Sequence, residues 1–123
     1  YDVGKAINPA LARQQVEGGA IMGMSWATLE NLYPQYPSPN FQPRSLGEYM
    51  IATTMDIPDI ETFMVECPSP HGPYGAKGIG EVISIPTTPA ITNAIYNAVG
   101  VRIDSLPIDQ EKLFFGIQQS AGN

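Results

Sequence analysis

At 123 residues, with 43% hydrophobic and 15% charged residues, the chain has the size of one globular domain, residues 1–123, and such a domain can bury roughly two-thirds of its unfolded surface. Its net charge of −6 comes without any basic block, which excludes the clustered Lys and Arg of a nucleic-acid footprint and leaves acidity as a solubility feature. Twelve Gly and twelve Pro predict many turns, and a lone Cys67 excludes an intrachain disulfide framework and points to a reducing, cytoplasmic setting.

Residues Tyr1 to Ile7 read as a short strand, entered without an initiator Met as an excised fragment would be. Asn8 followed by Pro9 is helix-start chemistry, an N-cap acceptor and then a residue whose missing N–H costs nothing at the first helical position. From Pro9 to about Asn31 the small or apolar residues Ala12, Val16, Gly19, Ala20, Gly23 and Ala27 recur at three- and four-residue steps, predicting a helix with one face made for close packing. The Gly19/Gly23 pair is read as backbone approach to a neighbouring element. The apolar run from Ala20 to Leu29, bounded by Glu17 and Glu30, is too short to cross a bilayer, so no membrane span is expected, and the N-terminus carries no signal-peptide pattern.

Pro34, Pro37, Pro39 and Pro43 predict a long surface loop from Tyr33 to Gly47, followed by an extended segment from Ser45 to Thr54. Asp56-Ile-Pro-Asp59 is turn chemistry leading to a strand, Ile60 to Cys67, with Phe63, Val65 and Cys67 on one face and Cys67 as a small buried hydrophobe. Thr88 and Pro89 repeat the cap logic for a second helix carrying Ile91, Ala94, Ile95, Ala98 and Val99 and closed by Gly100. Val101 to Leu106 reads as a short strand broken by Pro107, and Asp109 as the cap of a last helix bearing Leu113, Phe114 and Ile117. The predicted fold class is α+β, a small sheet with helices packed on one side, with parallel α/β as the second option.

Chemistry concentrates in His71 to Glu81 (HGPYGAKGIGE), where four glycines in eleven residues suit close backbone approach to a ligand. The segment matches neither the Walker pattern nor the G-x-G-x-x-G fingerprint, which argues against nucleotide binding. On spacing alone Glu81 is either a structural carboxylate accepting backbone N–H bonds in a tight turn or a functional acid. His71, the only histidine, has no second His, Cys or paired carboxylate to make a metal site with it, so its expected place is the surface and no metal ligand is assigned.

Five motifs occur in order: Asp2 to Pro9 (DVGKAINP), Gln15 to Gly19 (QVEGG), Gly72 to Glu81 (GPYGAKGIGE), Ala94 to Ile103 (AIYNAVGVRI) and Leu106-Pro107. As an ordered set covering nearly the whole chain, they resemble the closing segment of the molybdopterin-binding large subunit of the xanthine dehydrogenase and aldehyde oxidoreductase family. That resemblance implies the C-terminal part of a molybdenum-binding domain, in an enzyme oxidising an aldehyde or purine-like N-heterocycle with water as oxygen source. Glu81 then corresponds to the general base at the molybdenum centre, and a carboxylate suits this role because it is anionic at neutral pH. Lys77, Gly78, Ile79 and Gly80 correspond to the backbone lining the metal, while Gln15 is the side chain expected to hydrogen-bond the pterin. Gln15 is equally an exposed helix residue on its own merits, Lys77 either pairs with an anionic cofactor or substrate group or points to solvent, and Glu17 is expected to make a local helix contact.

The resemblance implies molybdopterin in the full enzyme, with 2Fe-2S and FAD carried on other segments or subunits. Its partners are the remainder of the molybdenum subunit, the Fe–S and flavin subunits, and a small-molecule substrate. The chain alone is expected to bind no cofactor, to be inactive and to form a homodimer through uncovered apolar surface. The competing reading is a stand-alone α+β binding or assembly module without catalysis, which has no use for a carboxylate after Gly78-Ile-Gly80.

Overall fold

The computed structural model describes residues 1–31 and 40–121. Among these residues the regular elements are α1 (Pro9–Thr28), α2 (Ser84–Val99) and α3 (Gln110–Ala121), with single 3-10 turns at Pro73–Gly75 and Glu81–Ile83. Helix α1 begins as its sequence predicts: the Asn8 side chain accepts from the Leu11 N–H at 3.1 Å and Pro9 fills the first position. It stops at Thr28 rather than Asn31, where the amides of Leu29 and Glu30 both turn back onto the Ser25 carbonyl.

The small-residue face of α1 is used for helix packing. A Cβ on Gly19 would stand 2.9 Å from the Ile83 Cβ, and one on Gly23 would stand 2.7 Å from the Ser84 carbonyl oxygen and 2.8 Å from the Thr87 Cβ. Helix α1 therefore lies against the start of α2 at backbone distance, and the Thr88 hydroxyl donates to the Gly23 carbonyl across the contact at 2.9 Å. Ala27, fully buried, continues the same face, and its carbonyl accepts from the Ile108 N–H at 2.8 Å.

Helix α2 starts four residues before the predicted cap. Thr88 is not an N-cap, because the Glu81–Ile83 turn already leads into the helix at Ser84 and leaves Pro89 inside it. The Thr88 hydroxyl is engaged with Gly23 instead. The far end follows expectation, with Gly100 left-handed at φ 73° as the C-cap. Asp109 caps α3, accepting from the amides of Glu111 at 2.9 Å and Lys112 at 3.1 Å.

No sheet forms among the described residues, which corrects the α+β expectation to a mainly helical arrangement. What remains of it is a parallel bridge between Asp2 and Val65 and an antiparallel one between Gly4 and Ala76. Consecutive rungs need uninterrupted donors on both sides, and Pro68, Pro70 and Pro73 have none to give, while the amides of Gly72 and Gly75 are turned to the Ser69 hydroxyl and the Gly72 carbonyl. Val101 to Leu106 makes no strand pairing among the described residues. Gly116 of α3 lies against Val101, where an added Cβ would come within 2.9 Å of its Cγ1, and Arg102 sits 3.8 Å from the Tyr96 ring centroid.

The face assigned to the Ile60–Cys67 segment is inverted. Phe63, Val65 and Cys67 are exposed, while Ile60, Thr62 and Met64 are half-buried. Helix α1 covers that even-numbered face: Ile60 shares an apolar groove with Ala20 and Met24, and the Thr62 hydroxyl reaches Glu17. Residues 32–39 of the Pro-rich stretch lie outside the described residues; residues 40–47 are irregular and largely exposed. Ser45 to Tyr49 form a turn in place of an extended strand, and the next turn closes at Thr53–Asp56, just before the predicted one.

The core is thin. Val3, Ala27 and Ile108 are the buried hydrophobic residues among those described, and no large side chain is fully buried. The chain exposes 8943 Å², against roughly 6,450 Å² for a compact monomer of 13.3 kDa. Leu46, Met55, Phe63, Tyr74 and Ile85 are all more than two-thirds exposed. The burial that its length permits is therefore not achieved within the chain itself.

Because Gly19 and Gly23 meet backbone and branched carbon while an added Cβ at Gly18 meets nothing, alanine should separate them. Gly19→Ala and Gly23→Ala are expected to destabilise the protein by about 1–3 kcal/mol through overpacking. Gly18→Ala should stabilise it by about 0.5–1 kcal/mol through helix propensity. Denaturant unfolding of the three variants measures the difference.

Candidate functional site

The N-terminal segment holds the glycine-rich loop in place. Val3, buried between two neighbours, donates its N–H to the Val65 carbonyl at 3.0 Å and accepts from the Lys77 N–H at 3.0 Å. The Lys5 N–H reaches the Gly75 carbonyl at 2.9 Å. Gly4 turns at φ 65°, and a Cβ there would collide with the Gly75 carbonyl, so only glycine lets the two segments come this close.

Asp2 ties the three segments together. Its carboxylate accepts from the Gly4 N–H at 2.8 Å and the Cys67 N–H at 3.2 Å, and pairs with the Lys77 ammonium. Lys77 thus neither points freely to solvent nor offers an unpaired charge to a ligand. The ammonium and the two amides hold the Asp2 carboxyl below its ordinary value of 3.8, Lys77 first, and Asp2 in turn raises the Lys77 ammonium. Glu66 plays a similar part beside it: paired with Lys5 at 2.9 Å and bonded to the Ala6 N–H, its carboxyl lies below 4.5.

From Lys77 the chain runs through Gly78-Ile-Gly80 to Glu81. The Tyr1 hydroxyl donates to the Gly78 carbonyl at 2.8 Å, and the Gln15 side-chain amide donates to the Gly80 carbonyl at 3.1 Å. Gln15, exposed on α1, is therefore brought onto the loop itself. A Cβ placed on Gly78 or on Gly80 would meet no atom within 4 Å, so the space beside this backbone is open. Neither glycine has a positive φ; the left-handed residues of this segment are Tyr74 and Gly75. Next to Gln15 lies a cavity of 290 Å³ lined in part by Lys5, Ile7, Leu11, Gln15, Lys77 and Ile79.

Glu81 is exposed in the turn before α2. Its own carbonyl accepts from the Ser84 hydroxyl at 2.6 Å, but among the described residues its carboxylate has no hydrogen-bond or ionic partner. The structural alternative, a carboxylate held by backbone N–H groups, is thus not what the turn shows. Glu17 makes the expected local contact, accepting from Arg13 at 2.7 Å, and His71 is exposed. No group of three or more His, Cys, Asp or Glu that could hold a metal occurs among the described residues, and no helix among them is long and apolar enough to cross a membrane.

Sequence reasoning singled out Gln15 and the loop, which the structure joins through the Gly80 carbonyl, but not Tyr1, Asp2 and Ser84, which hold the loop and its flanks. Asp2 belongs to one of the ordered motifs, and that was the available signal; a first-position tyrosine and a helix-start serine carry none.

Residues 1–58 match a family model described as a molybdopterin cofactor-binding domain. The chain is 38% identical over 114 residues to the putative xanthine dehydrogenase molybdenum-binding subunit XdhA of Escherichia coli (strain K12), covering 93% of this chain and 15% of that protein. It is 36% identical over 111 residues to the aldehyde oxidoreductase molybdenum-binding subunit PaoC of the same organism, covering 89% and 15%. The crystal structure of quinoline 2-oxidoreductase from Pseudomonas putida 86 superposes with a TM-score of 0.81 at 34% identity, over 96% of this chain and 15% of that one. The chain thus spans 15% of the length of these relatives.

Both Asp2 and Glu66 have lowered folded values, so the unfolded chain binds these protons more readily. Their stabilising contribution is complete above the ordinary values of 3.8 and 4.5 and is lost as pH falls through the lower folded values. In an NMR titration below those values, the Gly4 and Cys67 amides should shift with Asp2 and the Ala6 amide with Glu66. Asp2→Asn should abolish the first pair of titrations and leave the Ala6 titration in place.

Proposed function

We propose that this chain, which belongs to the molybdenum-binding subunits of the xanthine dehydrogenase and aldehyde oxidoreductase family, forms the part of a molybdenum hydroxylase that presents the catalytic base. The enzyme oxidises an aldehyde or a purine-like N-heterocycle, taking its oxygen from water. Glu81 is the general base, and one observation carries the assignment: its backbone is anchored on both sides while its carboxylate is exposed and has no partner among the described residues. A carboxylate left without partners in a held turn is available to receive a proton on Oε, which a structural carboxylate is not.

The residues present fit a molybdopterin. The open side of Gly78 and Gly80 admits a ligand against bare backbone. Gln15 commits its Nε2 to Gly80 and retains Oε1 as an acceptor for a heterocycle edge. The adjoining cavity has apolar residues such as Ile7, Leu11 and Ile79 in its lining. When bound, the cofactor supplies the site where oxygen is activated and electrons are collected. The chain's own part is to line that group with residues 77–80, to orient it through Gln15, and to hold a proton acceptor beside it. The 2Fe-2S and flavin groups that carry electrons away belong to other segments or subunits. A cytoplasmic setting is part of the same reading, supported by a single cysteine.

Replacing Glu81 by Gln in the complete enzyme should retain molybdenum content and lower turnover by at least ~10²-fold, because the amide has nearly the same shape but cannot accept the proton. Metal analysis alongside steady-state kinetics measures both. Turnover within a few-fold of the parent enzyme would remove Glu81 from this role.

The surface exposed in excess of a compact monomer is, on this reading, covered by the remainder of the subunit. It includes the apolar groove between α1 and α2, lined by residues including Met24, Ile60, Thr87 and Ile91. Expressed alone, the chain should bind no molybdenum and should pair with a second copy across such surface. Light scattering with metal analysis tests both points: a strict monomer contradicts the pairing, and stoichiometric metal contradicts the incomplete site.

A further inference from the structure

We propose that Tyr1, Gln15 and Ser84 are positioning residues that aim the Glu81 carboxylate by fixing the peptide units around it. This rests on the reading of Glu81 as the base. Upstream, the Gln15 amide holds the Gly80 carbonyl at 3.1 Å. A peptide unit is planar, so fixing that oxygen also fixes the direction of the Glu81 N–Cα bond. One unit further back, the Tyr1 hydroxyl holds the Gly78 carbonyl at 2.8 Å. The two bonds thus restrain the peptide units leaving Gly78 and Gly80, whose backbone freedom would otherwise pass directly to Glu81.

Downstream, the Ser84 hydroxyl holds the carbonyl of Glu81 itself at 2.6 Å. Ser84 is 3% exposed and has little room to move, since its own carbonyl oxygen lies 2.7 Å from where a Gly23 Cβ would stand. A generic attachment of the loop would leave its hydrogen bonds anywhere along it. Beside the main-chain bonds that Lys77 and Gly75 make to Val3 and Lys5, the side-chain donors fall on the carbonyls of Gly78, Gly80 and Glu81, while the Glu81 carboxylate is bonded to nothing among the described residues.

Tyr1→Phe and Ser84→Ala test the proposal in the assembled holoenzyme, because each removes a hydroxyl and neither residue is assigned to the cofactor. The expected result is a kcat lowered about tenfold, the scale of a small misplacement of a catalytic group, at unchanged KM and molybdenum content. Amide hydrogen exchange across residues 78–83 should quicken while that of α1 is unchanged. Combined with Glu81→Gln, neither substitution should lower the residual turnover further, since a residue acting through the carboxylate has nothing left to aim. A kcat loss of equal size in the Glu81→Gln background overturns the proposal. So does unchanged kcat in both single variants beside a strongly impaired Glu81→Gln, and either result leaves the base assignment standing. Full activity of Glu81→Gln overturns the base and the positioning role with it. If Ser84→Ala does not assemble, Tyr1→Phe, altered at an exposed position, decides the matter alone.

Discussion

The approach of α1 to the first turn of α2 is the contact on which the rest of the structure depends. It is made of absences: Gly19 and Gly23 present no side chain, so Ile83, Ser84 and Thr87 can sit against the helix backbone. That closeness lets the Thr88 hydroxyl reach the Gly23 carbonyl, and it seats Ser84 where its hydroxyl meets the carbonyl of Glu81. In a chain with so little buried hydrocarbon, a backbone-distance contact of this kind does what a larger core would do elsewhere. Packing and site geometry are set by the same two residues.

A second constraint arrives from the N-terminal end. Residues 1–5 run between the Val65 and Ala76 segments, and Asp2 binds both through one carboxylate. Exposed ion pairs of this type contribute little individually. Here the value lies in geometry, since Asp2 restrains the lysine that opens the Gly78-Ile-Gly80 loop while Tyr1 and Gln15 restrain the loop's carbonyls. The loop is fixed along one edge and open along the other. This arrangement suits backbone that must lie close to a ligand without relaxing onto it.

The helices were legible because their signals are local. Asn8-Pro9, Gly100 and Asp109 act through neighbours a few residues away, and each is found in its predicted role. Thr88-Pro89 carried the same local signal and misled, because a tertiary contact with Gly23 claimed the hydroxyl and the preceding turn had already begun the helix. The sheet was not legible for the same reason in reverse. Alternation in Ile60 to Cys67 predicts a two-faced strand but says nothing about which face α1 will cover, and α1 covers the one bearing Thr62 and Met64. Of the site, the glycine spacing and the position of Gln15 were visible in the sequence. The hydroxyls of Tyr1 and Ser84 were not, since hydrogen bonds to main-chain carbonyls leave no pattern in side-chain identity.

The pairing of Thr88 with Gly23 and of Gln15 with Gly80 each closes 65 residues of chain, and that of Tyr1 with Gly78 closes 77. Closing a loop of this length costs conformational entropy that grows only slowly with length, and the cost is met once for contacts that share a loop. After α1 has docked on α2 through Gly23, Gln15 and Gly80 are already neighbours, and their bond adds little further ordering. Docking of α1 on α2 therefore supplies most of the ordering that brings Gln15 to the glycine-rich loop, so the loop's anchor on α1 follows from the helix contact and needs no separate closure.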